Sequence, residues 1–222
     1  MSQPAAVFFD LDGTLVDTAP DFVTAVNTQR HRLGLEPVAY QHIRNSVSNG
    51  ARALIHLSFG YDEQHPSYGV RLEELLALYL SHISDQSRLF EDLDEVLLKL
   101  EAKGIPWGVV TNKPRRFTDP LLQGLNLHTR SAVTICPEDV RQRKPHPEPM
   151  LLACKRLNVD PTRCIYVGDH VRDIESGRNA GMKTIAAQYG YVGTPQEVVE
   201  WQADAVVTTP AELTRLLESM DF

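Results

Sequence analysis

Apolar residues occur along this chain in short unbroken runs separated by longer amphipathic stretches. Ala5 to Phe9 is continuous, too short for a helix and too uniform for a half-exposed strand, and it ends in Asp10. It reads as a strand buried on both faces of a parallel sheet. Ile105–Val110, Ala132–Cys136, Cys164–Val167 and Thr184–Ala187 read the same way, and Ala205–Val207 more weakly. Helical spacing fills the gaps at Leu93–Lys103, Phe117–Leu125, Pro149–Leu157, Ile174–Ala180 and Ala211–Met220. Alternation of strand and helix predicts an α/β fold, a parallel sheet covered on both faces and joined by right-handed crossovers.

The stretch from about Val16 to Ser84 breaks this rhythm and predicts helices only. Thr18, with Asp21 three residues on, predicts an N-cap ahead of Phe22, Val23 and Val26, and Gly34 a C′ residue ending that helix. Ala51–Phe59, between Gly50 and Gly60, predicts a second helix. Leu72, Leu75, Leu76, Tyr79, Leu80 and Ile83 predict a third over Leu72–Ile83. The expected organisation is therefore a core domain of residues 1–15 and 85–222, with an all-helical domain of residues 16–84 inserted after the first strand. Ligands of open α/β sheets bind at the C-terminal ends of the strands, so the insert is expected to cap that edge.

Composition narrows the class of molecule. Hydrophobic residues at 42% and charged residues at 23% are ordinary for a globular protein of 222 residues. The formal net charge of -7 argues against generic binding to nucleic acid or anionic membrane. An anionic substrate would need a local cation to overcome that background. Cys136, Cys154 and Cys164 form no CxxC pair and suggest neither a disulfide framework nor a zinc site, which fits a reducing cytoplasm. No stretch approaches the ~20 apolar residues of a membrane span, and neither a signal segment nor an internal repeat stands out.

Candidate chemistry gathers at the predicted strand ends. Asp10-Leu11-Asp12-Gly13-Thr14 places two carboxylates two residues apart, with Gly13 permitting a sharp turn between them. Thr111 and Asn112 close the run Trp107–Val110 and offer a hydroxyl and backbone N–H groups to phosphate oxygens. Lys144 is flanked by Pro145 and Pro147, so its ammonium sits on a stiff backbone; with Arg141 and Arg143 it reads as a solvated face or an anion site rather than a nucleic-acid patch. Gly168-Asp169-His170-Val171-Arg172-Asp173 follows the run Cys164–Val167 and brings two more carboxylates, with His170 expected as an exposed loop histidine. Several carboxylates at one site repel and call for a divalent cation, and oxygen ligands favour Mg²⁺.

These four segments, in this order, resemble the four motifs of haloacid dehalogenase (HAD) superfamily phosphatases, from Val7 to about Tyr191. The resemblance implies a Rossmann-like core with an inserted helical cap. It implies Asp10 as nucleophile, forming an aspartyl-phosphate, and Asp12 as general acid and then base. Thr111, Asn112 and Lys144 would hold phosphate. The Asp10 carboxylate, the Asp12 backbone carbonyl and Asp169 would bind Mg²⁺, with Asp173 orienting water or Lys144. Within the superfamily the chain resembles phosphoglycolate phosphatases. It resembles more closely the bacterial N-acetylmuramic acid 6-phosphate phosphatases of peptidoglycan recycling, through Trp107–Phe117, Ile135–Glu138, Pro145–Pro149, Ala153–Asn158 and Asp173–Arg178. The implied partner is a small phosphate ester, and the implied assembly a monomer or homodimer.

Ser48-Asn49-Gly50-Ala51-Arg52 is expected to open a helix and to form the substrate loop, with Asn49, Gly50 and Arg52 facing a substrate carboxylate. A phosphosugar mutase shares all four motifs. A phospho-accepting receiver domain also uses clustered aspartates, a Thr and a Lys, but it is shorter, has no helical insert and phosphorylates a middle strand. A transport ATPase would replace Asp12 with lysine, and a dehalogenase has no need of it as an acid.

Overall fold

The computed structural model describes residues 3–219, so the predicted end of the last helix at Met220 lies outside the described residues. The chain forms two compact units, residues 17–88 and the remainder. The strands in chain order are β1 (Ala6–Phe9), β2 (Val16–Asp17), β3 (Arg88–Leu89), β4 (Trp107–Val110), β5 (Val133–Ile135), β6 (Cys164–Gly168), β7 (Lys183–Ala187) and β8 (Ala205–Val207). Six of them form one parallel sheet in the order β5-β4-β1-β6-β7-β8. The two short strands β2 and β3 pair with each other where the chain leaves the core and returns.

The apolar runs are buried because both sheet faces are covered. Ala6 and Phe8 point to one face, where they pack with Ile135, Met150, Ala153, Cys164 and Tyr166. Val7 and Phe9 point to the other, where the Phe9 ring meets Trp107 edge-on at 6.5 Å between centroids. The covering helices are α5 (Leu93–Ala102), α6 (Arg115–Gly124), α7 (Glu148–Leu157), α8 (Val171–Asn179), α9 (Pro195–Glu200) and α10 (Pro210–Ser219).

Register fixes the site. Phe9 lies opposite Val109 on one side and Val167 on the other. The ladder continues one residue further, with the Asp10 N–H donating to Val167 O at 2.9 Å and the Thr111 N–H to Ile135 O at 3.0 Å. Asp10, Thr111 and Asp169 therefore emerge side by side at the C-terminal edge. The chain steps outward from β1 through β4 to β5, then returns to β6 on the other flank of β1, so Asp10 sits where strand order reverses.

Between β2 and β3 the regular elements of the inserted unit are helical, with α1 (Ala19–Arg32), α2 (Tyr40–Ser46), α3 (Gly50–Phe59) and α4 (Tyr68–Ser81). The α1 helix ends as expected. Gly34 at φ +67° donates to His31 O at 3.0 Å and Leu35 to Arg30 O at 3.0 Å, a Schellman closure. Its start is different from the expected box. The Thr18 side chain makes no capping hydrogen bond, and Asp17 Oδ1 instead accepts from the Ala19 N–H at 3.3 Å. Asp21, fully buried, accepts from the N–H groups of Gln86 and Ser87, both at 2.9 Å, and from Ser87 Oγ at 2.6 Å. Phe22 stacks on Tyr79 with centroids 3.8 Å apart, tying α1 to α4.

Candidate active site

Four loops converge at the sheet edge. The first, after β1, turns tightly: the Gly13 N–H donates to Val16 O at 3.0 Å and the Val16 N–H to Leu11 O at 2.9 Å. Gly13 has φ +83°, and a Cβ there would overlap Asp169 Oδ2. This turn leaves Asp10 and Asp12 exposed by only 12% and 17% of their side chains.

The third loop delivers Lys144. The Glu148 carboxylate, at the start of α7, accepts from the N–H groups of Arg141 and Gln142 at 3.0 and 2.9 Å. Ser176 Oγ on α8 donates to His146 O at 2.8 Å, and Asn112 Nδ2 to Lys144 O at 3.1 Å. So braced, the Lys144 side chain is 1% exposed, with its ammonium 2.9 Å from Asp10 Oδ1 and 2.7 Å from Asp173 Oδ1. It also donates to Tyr166 Oη at 2.8 Å and Val110 O at 3.1 Å. Three N–H protons face four acceptors, and Asp10 Oδ1 is the one left without a well-directed hydrogen bond.

The fourth loop places Asp169 and Asp173. Asp169 accepts from Thr14 Oγ1 at 3.1 Å and from the Tyr191 N–H at 2.9 Å. Asp173 is fully buried, with Oδ2 taking the His170 N–H at 3.1 Å and Oδ1 taking Lys144. His170 is not the exposed loop residue the sequence suggested. Its Nδ1 accepts from the Arg172 N–H at 3.2 Å, capping α8, and its ring stacks near Trp201 at 6.5 Å. Burial and then the Arg172 charge lower the His170 pKa to about 4.

The electrostatics are those of crowded carboxylates around a lysine. Burial first, then the charges of Asp173 and Asp10, raises Asp169 to about 7. Burial first raises Asp173 to about 6, with Lys144 opposing and Asp10 reinforcing the shift. At Asp10 burial also disfavours the charge, but Lys144, the Leu11 N–H and Arg172 outweigh it and hold the carboxyl below its ordinary range. Burial opposes the charge on Lys144 too, and Asp10 and Asp173 more than restore it.

Carboxylate oxygens of Asp10, Asp169 and Asp173 lie within 4.8 Å of one another, all buried. The under-bonded Asp10 Oδ1 and the upward shift of Asp169 fit a dication in this cluster, since a proton or a metal must relieve the repulsion. Asp173 has both oxygens engaged and is suited to steering Lys144 instead.

Of the residues singled out in the sequence, Asp10, Asp12, Thr111, Asn112, Lys144, Asp169 and Asp173 all belong to these four loops. Thr111 is buried, and its Oγ1 accepts from the Lys113 N–H at 3.1 Å. The insert residues show no comparable construction. The helix opens at Gly50, after a 3₁₀ turn over Val47–Asn49, and the Asn49 side chain does not cap it. The Arg52 guanidinium is exposed and paired with Glu63. Sequence reading missed Lys113, whose ammonium reaches Asp12 Oδ1 at 2.9 Å and Oδ2 at 3.1 Å. It also missed Tyr166 and Thr14, whose hydroxyls serve Lys144 and Asp169. Only the place of Lys113 beside Thr111-Asn112 at a strand end could have flagged it.

Known proteins agree with this architecture. The chain is 46% identical over 213 residues to an N-acetylmuramic acid 6-phosphate phosphatase of Pseudomonas aeruginosa, covering 96% of this chain and 94% of the relative. It is 39% identical over 213 residues to a phosphoglycolate phosphatase of Xanthomonas campestris, covering 96% of each. A crystal structure of a predicted phosphoglycolate phosphatase from Haemophilus somnus superposes with a TM-score of 0.85 at 24% identity, covering 97% of this chain and 99% of that one, and shares the fold. Residues 7–187 match the haloacid dehalogenase-like hydrolases. With its Rossmann-like core and acidic edge, the chain is a phosphatase belonging to the haloacid dehalogenase-like hydrolase family.

Proposed function

We propose that this protein is a Mg²⁺-dependent phosphomonoesterase that works through an aspartyl-phosphate on Asp10. The observation that carries the reading is the meeting of Asp10, Lys144, Asp169 and Asp173 in one buried cluster. Asp10 attacks phosphorus while Asp12 protonates the leaving oxygen; Asp12 then takes the proton of the water that frees phosphate from Asp10. Lys144 faces the equatorial oxygens with Thr111, and Asn112 braces the Lys144 backbone. Asp173 holds Lys144 in place. The Asp10 carboxylate, the Asp12 backbone carbonyl and Asp169 would hold Mg²⁺. When bound, the ion supplies positive charge that offsets the clustered carboxylates and the phosphoryl oxygens.

The helical unit is assigned the cap role and substrate choice, with Asn49, Gly50 and Arg52 as its carboxylate-facing loop. The substrate best supported is N-acetylmuramic acid 6-phosphate, on the 46% identity to a relative named for it. The 39% relatives favour 2-phosphoglycolate as the second reading. Cys136, Cys154 and Cys164, buried as free thiols, suit a reducing cytoplasm. Release of inorganic phosphate from N-acetylmuramic acid 6-phosphate, 2-phosphoglycolate and common hexose phosphates, compared side by side with Mg²⁺, tests the assignment. Preference for 2-phosphoglycolate overturns the substrate but not the chemistry, and isomer formation without phosphate release would make the protein a mutase.

A further inference from the structure

The site contains two buried lysines, and the chemistry above uses only Lys144. The Lys113 side chain is 5% exposed, as expected of a lysine placed deliberately rather than one lying on a surface. Its backbone is fixed on both sides: its N–H donates to Thr111 Oγ1, and its carbonyl accepts from Thr118 Oγ1 at 3.1 Å. Its ammonium spans both oxygens of Asp12, at 2.9 and 3.1 Å, across 101 positions of sequence. Contact with both oxygens centres the ammonium on the carboxylate and holds the head group in place.

The clamp suits one half of the reaction. In the first half Asp12 must carry a proton to give to the leaving oxygen. In the second half it must be a carboxylate that accepts one, and the contact seen here, with both oxygens accepting from one ammonium, is the hydrogen-bonding pattern of a carboxylate. We propose that Lys113 is a positioning residue for the second half-reaction. It holds the Asp12 carboxylate in place as that group takes a proton from water while the water oxygen bonds to phosphorus. The phosphorus–Asp10 oxygen bond then breaks, the Asp10 carboxylate is restored, and phosphate leaves. Lys113 neither gains nor loses a proton. This assignment rests on the reading of Asp10 as phosphoryl carrier.

The two half-reactions are separable kinetically. kcat/KM reports events through release of the alcohol, whereas kcat also contains hydrolysis of the phospho-enzyme. With p-nitrophenyl phosphate, Lys113→Met is expected to lower kcat at least ~10-fold while kcat/KM stays within about threefold, so that KM falls in parallel. Rapid mixing should then show a burst of nitrophenol, and acid-quenched enzyme a phosphoryl adduct by intact mass. Lys113→Arg keeps a two-pronged donor and should recover part of kcat. It carries the same test should Lys113→Met fail to fold by circular dichroism. Equal losses in kcat and kcat/KM, with no burst and no adduct, overturn the role of Lys113 and leave Asp10 untouched. An adduct that persists in Asp10→Asn/Lys113→Met overturns the reading of Asp10, and this assignment with it.

Discussion

Lys144 Nζ lies 2.9 Å from Asp10 Oδ1, with only 1% of the lysine side chain exposed. A buried ammonium is costly unless paired, and this one meets two carboxylates and two neutral oxygens. Removing it leaves buried, mutually repelling aspartates. Lys144→Met is expected to lower kcat/KM by ~10²-fold or more and to destabilise the metal-free protein by about 3–5 kcal/mol. Phosphate release and chemical denaturation measure the two effects. Wild-type kcat/KM in a folded Lys144→Met protein would remove the lysine from phosphoryl binding.

The raised carboxyls set a pH dependence of metal binding. Asp169 at about 7 and Asp173 at about 6 stand above the ordinary 3.8. The folded, metal-free protein therefore binds protons there that the unfolded chain has released. Their contribution to stability is present at low pH and is lost as pH rises toward about 7. Asp10, held low, acts in the opposite sense and loses its contribution only as pH falls through its lowered value. A dication competes with the protons on the raised groups. Added Mg²⁺ should thus raise Tm clearly at about pH 8 and much less at about pH 5. Thermal melts with and without the ion check this, and an equal rise at both pH values would contradict it.

Gly13 is tested by adding one carbon. With φ at +83° and Asp169 Oδ2 where a Cβ would stand, Gly13→Ala must shift the turn that carries Asp12 and displace Asp169. The variant is expected to lose at least ~1–3 kcal/mol of stability and to lower kcat by ~10-fold or more. Denaturation midpoints and steady-state rates measure both, and a silent substitution would show that the turn is not rigid.

Much of the core was legible because a parallel strand buried on both faces writes itself as an unbroken apolar run, and the aspartates of the candidate site follow such runs directly. The elements that escaped are those with little to bury. The α2 helix buries only Ile43, and α9 buries Val198 while leaving Val199 74% exposed. β2 and β3 are two residues each. The Asp12–Lys113 pair was illegible because its partners are brought together by sheet order alone, and His170 because its capping role depends on the turn after β6.

Arg52 carries the substrate reading for the helical unit, and its guanidinium is paired with Glu63 at the surface. An exposed pair of this kind is worth little to stability, so Arg52→Ala should leave Tm nearly unchanged. If Arg52 faces a substrate carboxylate, the variant raises KM for N-acetylmuramic acid 6-phosphate and 2-phosphoglycolate by roughly tenfold and spares uncarboxylated hexose phosphates. Equal effects on both classes would leave the residue as surface charge.

On the proposed mechanism Asp10 carries the phosphoryl group. Enzyme quenched in acid during turnover and mapped by peptide mass spectrometry tests it directly. A phosphoryl group is expected on the peptide bearing Asp10, absent from Asp10→Asn, which should be folded but without turnover. A phosphoryl group on another residue, or an Asp10→Asn protein that turns over at the wild-type rate, would contradict it.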